Sequence, residues 1–424
     1  MGSTLSRSPQ GTRVPYRVLH VLDHSWPVLD GYSQRSRSLL AAQLHLGFLP
    51  SALTSPLHAQ DDPSASELLL DSIHYFRTPC GTGCAARAIR SRWPVLREGS
   101  VIRLLRRRIE YLLDAQSFDI LHSHSPALCG LASLQAANSR GIPFVYEIRS
   151  FWEDSNLSRG NNLQHSVRYR FARALESYVA RRAHAIVGIS RSILKDIAAR
   201  GVPADRLFHI PNGVDVVRFV PRERDFALAR GLGIESMPTF GYLGTLFPWE
   251  GVPWLVHAAA ELHRRGLKFK LLIAGDGADA ESVKRAIEET QSSAFVQYLG
   301  RIPHDQVERY YSVMDVLVYP RLRTRLTDMV TPLKPLEAMA LAKTVLASAV
   351  NGHRELIEPE VTGVLFDPEN SDDFCRNAVR LMQEPHLRCL GEQARKKMFD
   401  ERDWNVIARG YENVYDAATR KAQS

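Results

Sequence analysis

The sequence predicts an α/β protein built from two doubly wound domains that face each other across a cleft. Three observations predict this. Short apolar runs alternate with helix-like segments along the chain, which is the pattern of parallel sheets with right-handed crossovers. The alternation comes as two series, separated by a weakly periodic stretch over residues 216–238. A length of 424 residues suits two domains. The expected boundaries are 16–215 and 216–400. Ligands of such sheets bind beyond the carboxyl ends of the strands, so the cleft between the domains is the expected site.

The first series opens with RVLHVLD (17–23), followed by a glycine-containing loop and the helical SQRSRSLLAAQLHLG. DILHSHS (119–125), PFVYEIR (143–149) and AHAIVGIS (183–190) follow as buried strands, and IPNGVD (210–215) closes the series in a turn. The second series runs through TFGYLGT (239–245), KFKLLIAG (268–275), AFVQYLG (294–300), DVLVYP (315–320) and TVLASAV (344–350). Helical segments such as VPWLVHAAAELHRRG lie between them. The first sixteen residues read as a short disordered lead without the apolar core of a secretory signal.

Composition narrows the classes. Hydrophobic residues make up 45% and charged residues 24%, an ordinary soluble balance with ample core, and no apolar stretch is long enough to span a bilayer. Five cysteines suit a reducing cytoplasm. Cys80 and Cys84 form the one close pair, without further ligands at zinc spacing. Net charge is +8, concentrated in the first half: residues 1–215 hold 26 Lys and Arg against 17 Asp and Glu, the remainder 28 against 29. Eight arginines fall between Arg87 and Arg108, interleaved with Trp93, Val101, Ile102, Leu104 and Leu105. That pattern fits an anionic membrane surface or a solvated helix face, and no nucleic-acid motif accompanies it.

Local motifs point to a phosphate-bearing ligand. Gly31 sits between the first strand and first helix, where a glycine lets the backbone approach a phosphate at a helix start. Gly275-x-Gly277-x-x-Ala280 follows a strand, as in dinucleotide sites, but no acid ends the next strand; a tight turn for close strand–helix packing is the plainer reading. His122 and His124 lie two apart at a strand end and so share a face. YEIRSFWED crowds Glu147, Arg149 and Trp152 at another strand end, either as a salt-bridged loop or as an acceptor-facing site. In TPLKPLEAMALAK, Lys334 is expected as a helix N-cap, with Pro335 in the first turn and Glu337 at the third position. Free amides, an ammonium and a carboxylate there suit a diphosphate joined to a ribose; a Lys334–Glu337 pair is the bland alternative.

In order along the chain, the glycine loop, DILHSHS, IPNGVD, GYLGTLFPWEGV, LLIAGDG, VQYLGRIP, DVLVYP, PLKPLEAMALAKTVLAS and NGHRELI resemble the retaining glycosyltransferases of family 4, of GT-B architecture. YEIRSFWED and VTPLKPLEAMA are similar to the glycosyltransferases of bacterial PEP-CTERM/exosortase exopolysaccharide loci. The resemblance implies a nucleotide-diphosphate sugar donor held mainly by the second domain, no bound metal and no cofactor. It implies Glu337 on the ribose, the preceding Leu333, Lys334, Pro335 and Leu336 at the diphosphate, and Gly244, Thr245 and Gly31 also near it. Gly300, Arg301 and Ile302 would lie beside the base, and His124 near the donor sugar. Residues 401–424 would form a helix crossing back to the first domain. Two positions depart from the family pattern. Glu250 stands where a basic residue is usual, and Met329 where a glutamate usually partners Glu337, so Arg321 and Lys334 are the candidates to supply positive charge.

The expected activity is hexosyl transfer with retention to a polyprenyl-diphosphate-linked or other glycan acceptor. The expected place is cytoplasmic, peripheral at the inner face of the plasma membrane. A sugar-nucleotide epimerase and a non-catalytic binding protein are the alternatives.

Overall fold

The computed structural model describes residues 15–28, 30–58, 67–80, 84–89, 91, 93–157, 166–303 and 305–423. Most of the N-terminal lead and residues 81–83, between the paired cysteines, lie outside these.

Among the described residues, fourteen strands form two sheets. The first holds β1 (Arg17–Leu22), β2 (Leu49–Thr54), β3 (Glu67–Leu70), β4 (Ile73–Arg77), β5 (Ile120–His124), β6 (Phe144–Ile148), β7 (Ala185–Gly188) and β8 (Leu207–His209), in spatial order β3-β4-β2-β1-β5-β6-β7-β8. The second holds β9 (Thr239–Leu243), β10 (Lys270–Ala274), β11 (Val296–Gly300), β12 (Val316–Tyr319), β13 (Thr344–Ser348) and β14 (Val364–Phe366), in order β11-β10-β9-β12-β13-β14. All pairings are parallel except that of β3 on β4. Helices cover both faces, so β5, β6, β7, β9 and β13 are buried at every residue. This is the GT-B arrangement the sequence predicts.

Each sheet reverses its strand order once, at β1 beside β5 and at β9 beside β12. These switch points are where a crevice opens beyond the strand ends. The β1 end leads to Gly31, and the β9 end leads to Gly244. The two face each other: a Cβ added at Gly31 would stand 3.5 Å from Leu333 Cδ1 of the second unit.

Two crossings join the units. Val214 of IPNGVD bridges to Asp403 of the returning chain. Gly213 permits this, because a Cβ there would meet the Arg402 carbonyl at 2.9 Å. The Gly410–Ala422 helix then docks on the first sheet, burying Tyr411, Val414, Tyr415 and Ala418 against Val18, Ile120, Val145 and Ala185. A further contact comes from the short Arg325–Met329 helix. Arg325 pairs with Asp154 (2.9 Å) and Asp196 (2.7 Å) of the first unit, and Met329 packs into that unit's core.

Candidate active site

The turns after β9 and β10 build one wall of the cleft. Gly244, Gly275 and Gly277 have φ of 145°, 145° and 157°. Cβ atoms at Gly275 and Gly277 would collide with the Gly244 and Leu246 carbonyls, at 1.9 and 2.2 Å. These glycines therefore answer to close approach of the neighbouring backbone after β9, where the plainer reading of Gly275-x-Gly277 expected strand–helix packing. An open cavity of about 670 Å³ lies over them, lined also by Thr245, Asp276, Arg301, Ile302 and Pro303. Of the predicted donor residues, Gly244, Thr245, Arg301 and Ile302 thus come together. Gly300 supports them from below: its carbonyl accepts from Gly275 N at 2.8 Å.

Behind the Gly244 turn lies a buried charge cluster. The helix predicted from TPLKPLEAMALAK spans Lys334–Ala340, with Leu333 as its N-cap and Lys334 inside the first turn. This corrects the expected N-cap: Pro335 is the second helical residue, so the helix begins one residue earlier than its proline suggested. The bland Lys334–Glu337 pair is not made either. The Lys334 ammonium runs the other way, to Glu250 (3.2 Å), the Tyr242 hydroxyl (2.8 Å) and the Thr245 carbonyl (3.1 Å). Its path lies where a Gly244 Cβ would be, 2.2 Å from Lys334 Cε. Arg321 joins the same carboxylate at 3.0 Å and donates to the Val330 carbonyl. Burial alone would raise the Glu250 carboxyl, but Arg321 and then Lys334 draw it down to about 2. Burial pushes Glu337 up to about 7 despite opposing Arg218 and Lys334, and the Tyr311 hydroxyl stands 3.5 Å from its carboxylate. Leu336 is fully buried in the second core, and Leu333 packs at its margin.

The first unit offers the opposing wall. Asp30 caps the Gly31–His45 helix through Ser33 N, and His24 bridges Asp23 and Asp30 at 2.9 and 2.7 Å. Burial opposes protonation of His24, yet the two carboxylates hold it at about 9, so it is an imidazolium beside the Gly31 turn. Sequence reading missed this residue; the signal was DHSWPVLDG, a histidine flanked by two acids in the loop.

His124 and Glu147 are not on an open wall, which corrects the acceptor-facing and sugar-facing expectations. Both are fully buried, because their faces of β5 and β6 turn toward the Gly31–His45 and Gly410–Ala422 helices. Arg35, Arg149, His124, His122 and Tyr411 surround the Glu147 carboxylate, and these charges outweigh burial and hold it well below its usual range. Arg149 Nη2 donates to His124 Nδ1 (2.8 Å), which fixes the His124 proton on Nε2. That proton goes to His20 Nδ1 (3.0 Å), and His20 Nε2 donates to Gln43 Oε1 (2.8 Å). Gln43 donates to the Tyr415 hydroxyl, which faces His122 Nδ1 at 3.1 Å. The ligand atoms of His20, His122 and His124 fall within 4.8 Å of one another, a spacing open to a metal. With the lone pairs of His20, His122 and His124 engaged as acceptors and two guanidiniums adjacent, the arrangement is a hydrogen-bond ring rather than a cation site. Arg149 also donates to the Tyr32 carbonyl and Ser36, bracing the turn at Gly31 from behind. Trp152 is half-buried under the Arg168 guanidinium, 5.8 Å away.

Two family models match this chain: Glycosyltransferase Family 4 over residues 71–218, and Glycosyl transferases group 1 over residues 237–384. Together they span well over half of it. The chain belongs to the family 4 glycosyltransferases. As a member, it is 29% identical over 299 residues to a GDP-mannose-dependent alpha-mannosyltransferase of Mycolicibacterium smegmatis, covering 70% of this chain and 73% of that protein. It is 26% identical to the alpha-D-kanosaminyltransferase of Streptomyces kanamyceticus, covering 69% and 74%. Among solved structures, this glycosyltransferase superposes on sucrose-phosphate synthase from Thermosynechococcus elongatus with a TM-score of 0.75 at 19% identity, covering 94% and 98%. Anabaena Alr3699/HepE in complex with UDP gives 0.71 at 16%, covering 93% and 98%.

Proposed function

We propose that this glycosyltransferase moves a hexosyl group from a nucleotide-diphosphate sugar to a membrane-held glycan acceptor, with retention of configuration. The observation that carries the donor side is the cavity over Gly244, Gly275 and Gly277, where bare backbone meets the buried Lys334–Glu250–Arg321 cluster. Base and ribose fit beside Arg301 and Ile302 and toward Glu337. The diphosphate then lies between the Gly31 turn and the first helical turn, where the Leu333, Lys334 and Leu336 amides lack intrahelical partners and Pro335 has none to offer. When the glycosidic bond to the diphosphate breaks, charge grows on phosphate oxygens. Lys334, backed by Arg321, offsets it in a partly dehydrated site. His124 and Arg149 act from behind the Gly31 turn, through the ring that fixes its position. UDP and UDP-glucose complexes of fold relatives and the GDP-mannose dependence of a sequence relative make both bases reasonable first trials. An epimerase or a non-catalytic binder is not favoured by the family matches.

The acceptor side rests on surface chemistry and on the likeness to exosortase-locus enzymes of exopolysaccharide synthesis. Trp93, Val95 and Leu96 at the start of the Pro94–Ala115 helix, with Val167 and Phe171 of the Val167–Arg182 helix, are 57–83% exposed. The Arg168–Glu98 contact at 3.6 Å holds the two helix starts together, and Arg97, Arg103, Arg107 and Arg170 are exposed around them. Exposed aromatic and aliphatic groups ringed by arginine complement an anionic bilayer at the cytoplasmic face. No helix among the described residues is long and apolar enough to cross a membrane.

A thermal-shift screen of UDP-, GDP- and ADP-sugars tests the donor reading, because a bound donor raises the melting temperature by mass action. A concentration-dependent shift with one base class is expected; no shift with any of them overturns it.

A further inference from the structure

The family pattern puts a cation where this chain has Glu250, and the structure gives that carboxylate a definite task. Its side chain is 4% exposed, too enclosed to meet a ligand itself. It binds Arg321 (9% exposed) and Lys334 (19% exposed), so the lysine is the most exposed member of the trio, and its ammonium meets the carbonyl of Thr245, a residue that lines the cavity. The lysine is also the one threaded beneath the Gly244 turn. We propose that Glu250 is a positioning residue for sugar transfer: it locks Arg321 and Lys334 into one unit and keeps the lysine charged where the donor diphosphate arrives. This rests on the cavity being the donor site.

The charges facing Lys334 from each packed element fit this role. Tyr242 and Tyr319 stay neutral, since burial raises both hydroxyls well above their usual range. His353 is neutral too, held at about 3 by burial and then by Arg321. Glu337 is only partly ionised near neutrality. That leaves Arg321 beside Lys334 and Glu250 between them. Two cations and one buried anion give the unit a net single positive charge. Without the anion, the guanidinium and burial would both drive the lysine toward its neutral form, since each already lowers it. A carboxylate at 250 thus turns what would be a repelling pair into a stable cationic floor. Arg321 Nε, buried and without a partner, leaves that guanidinium a donor to spare.

The test is titration calorimetry of UDP and GDP against the full chain from about pH 7 to about pH 10, bracketing the titration of a perturbed lysine. The proteins are wild type, Glu250→Gln, Glu250→Asp and the double variant Glu250→Gln/Lys334→Arg, with thermal melts to confirm folding. Expected for Glu250→Gln is an alkaline loss of binding that moves down by about one pH unit or more. Glu250→Asp, which keeps the charge, retains the wild-type alkaline midpoint. The double variant, whose guanidinium does not titrate in this range, removes the shift. Binding that is unchanged in Glu250→Gln, or weakened equally at every pH, overturns the positioning role while leaving the donor site intact. If neither nucleotide binds wild type, the donor reading and this inference fall together.

Discussion

Glu176 lies fully buried against β6, its carboxyl taking a 2.6 Å hydrogen bond from the Tyr146 hydroxyl. Burial, and then the Glu153 charge, push it up to about 8. The native state therefore holds a proton that the unfolded chain loses near its ordinary value of 4.5. Stability from this group is full at acid pH and drains away as pH rises from that value toward about 8. Glu176→Gln keeps an acceptor for Tyr146 and removes the titration. Its melting temperature should exceed wild type at about pH 9 and differ little at about pH 5, read by scanning fluorimetry. Equal pH slopes in the two proteins would show that Glu176 does not titrate as described. Sequence alone gave the addresses of such groups but not their surroundings. His124 and Glu147 were correctly placed at strand ends, and period two put His122 and His124 on one face. Which face meets solvent was not legible, because it depends on a helix almost 300 residues further along the chain, with Tyr415 against His122 and Tyr411 against Glu147.

At the scale of elements, the central strands were legible because parallel strands covered on both faces become unbroken apolar runs. β2, β3, β4, β8 and β14 were not singled out. β3, β4, β8 and β14 sit toward the sheet margins or are short, and β3 is largely exposed; β2 lies between β1 and β4, but its sequence LPSALT breaks the apolar run with a proline and two hydroxyl residues, so these patterns carry less contrast. The Arg325–Met329 helix was also unread, although Met329 had been noted as a departure. Its identity follows from its neighbours: it packs against the first unit's core. Arg325 on the same turn serves two carboxylates, of which Asp154 is 2% and Asp196 12% exposed. Removing one partner of a buried ion pair costs about 3–5 kcal/mol, and the partial exposure of Arg325 lowers this to about 1–3 kcal/mol. Arg325→Ala should therefore lower the free energy of urea unfolding by that much, with a lower midpoint, and Asp154→Asn in the same background should recover part of it. A midpoint unchanged by Arg325→Ala would mean the contact is a passive one.

For the whole molecule, the apolar, arginine-ringed surface continues to the chain that follows β6: Arg168 meets Glu98 on the exposed helix start and lies over Trp152. A bilayer resting on Trp93, Val95, Leu96, Val167 and Phe171 would thus lie beside Trp152, and the lipid-linked acceptor proposed above would reach the enzyme from the surface that holds it. Electrostatics contribute about 1 kcal/mol per arginine near an anionic surface, while the apolar anchors contribute independently of lipid charge. Flotation with vesicles should therefore show binding that needs anionic lipid and weakens as salt rises. Trp93→Ser/Leu96→Ser should reduce the floated fraction at every salt concentration, and Arg97→Glu/Arg103→Glu should remove the preference for anionic lipid. Neither variant touches the cavity over Gly244, Gly275 and Gly277, so both should bind nucleotide as wild type does. Equal binding of wild type to neutral and anionic vesicles would remove the electrostatic part of this reading, and no binding to either would detach this surface from the membrane.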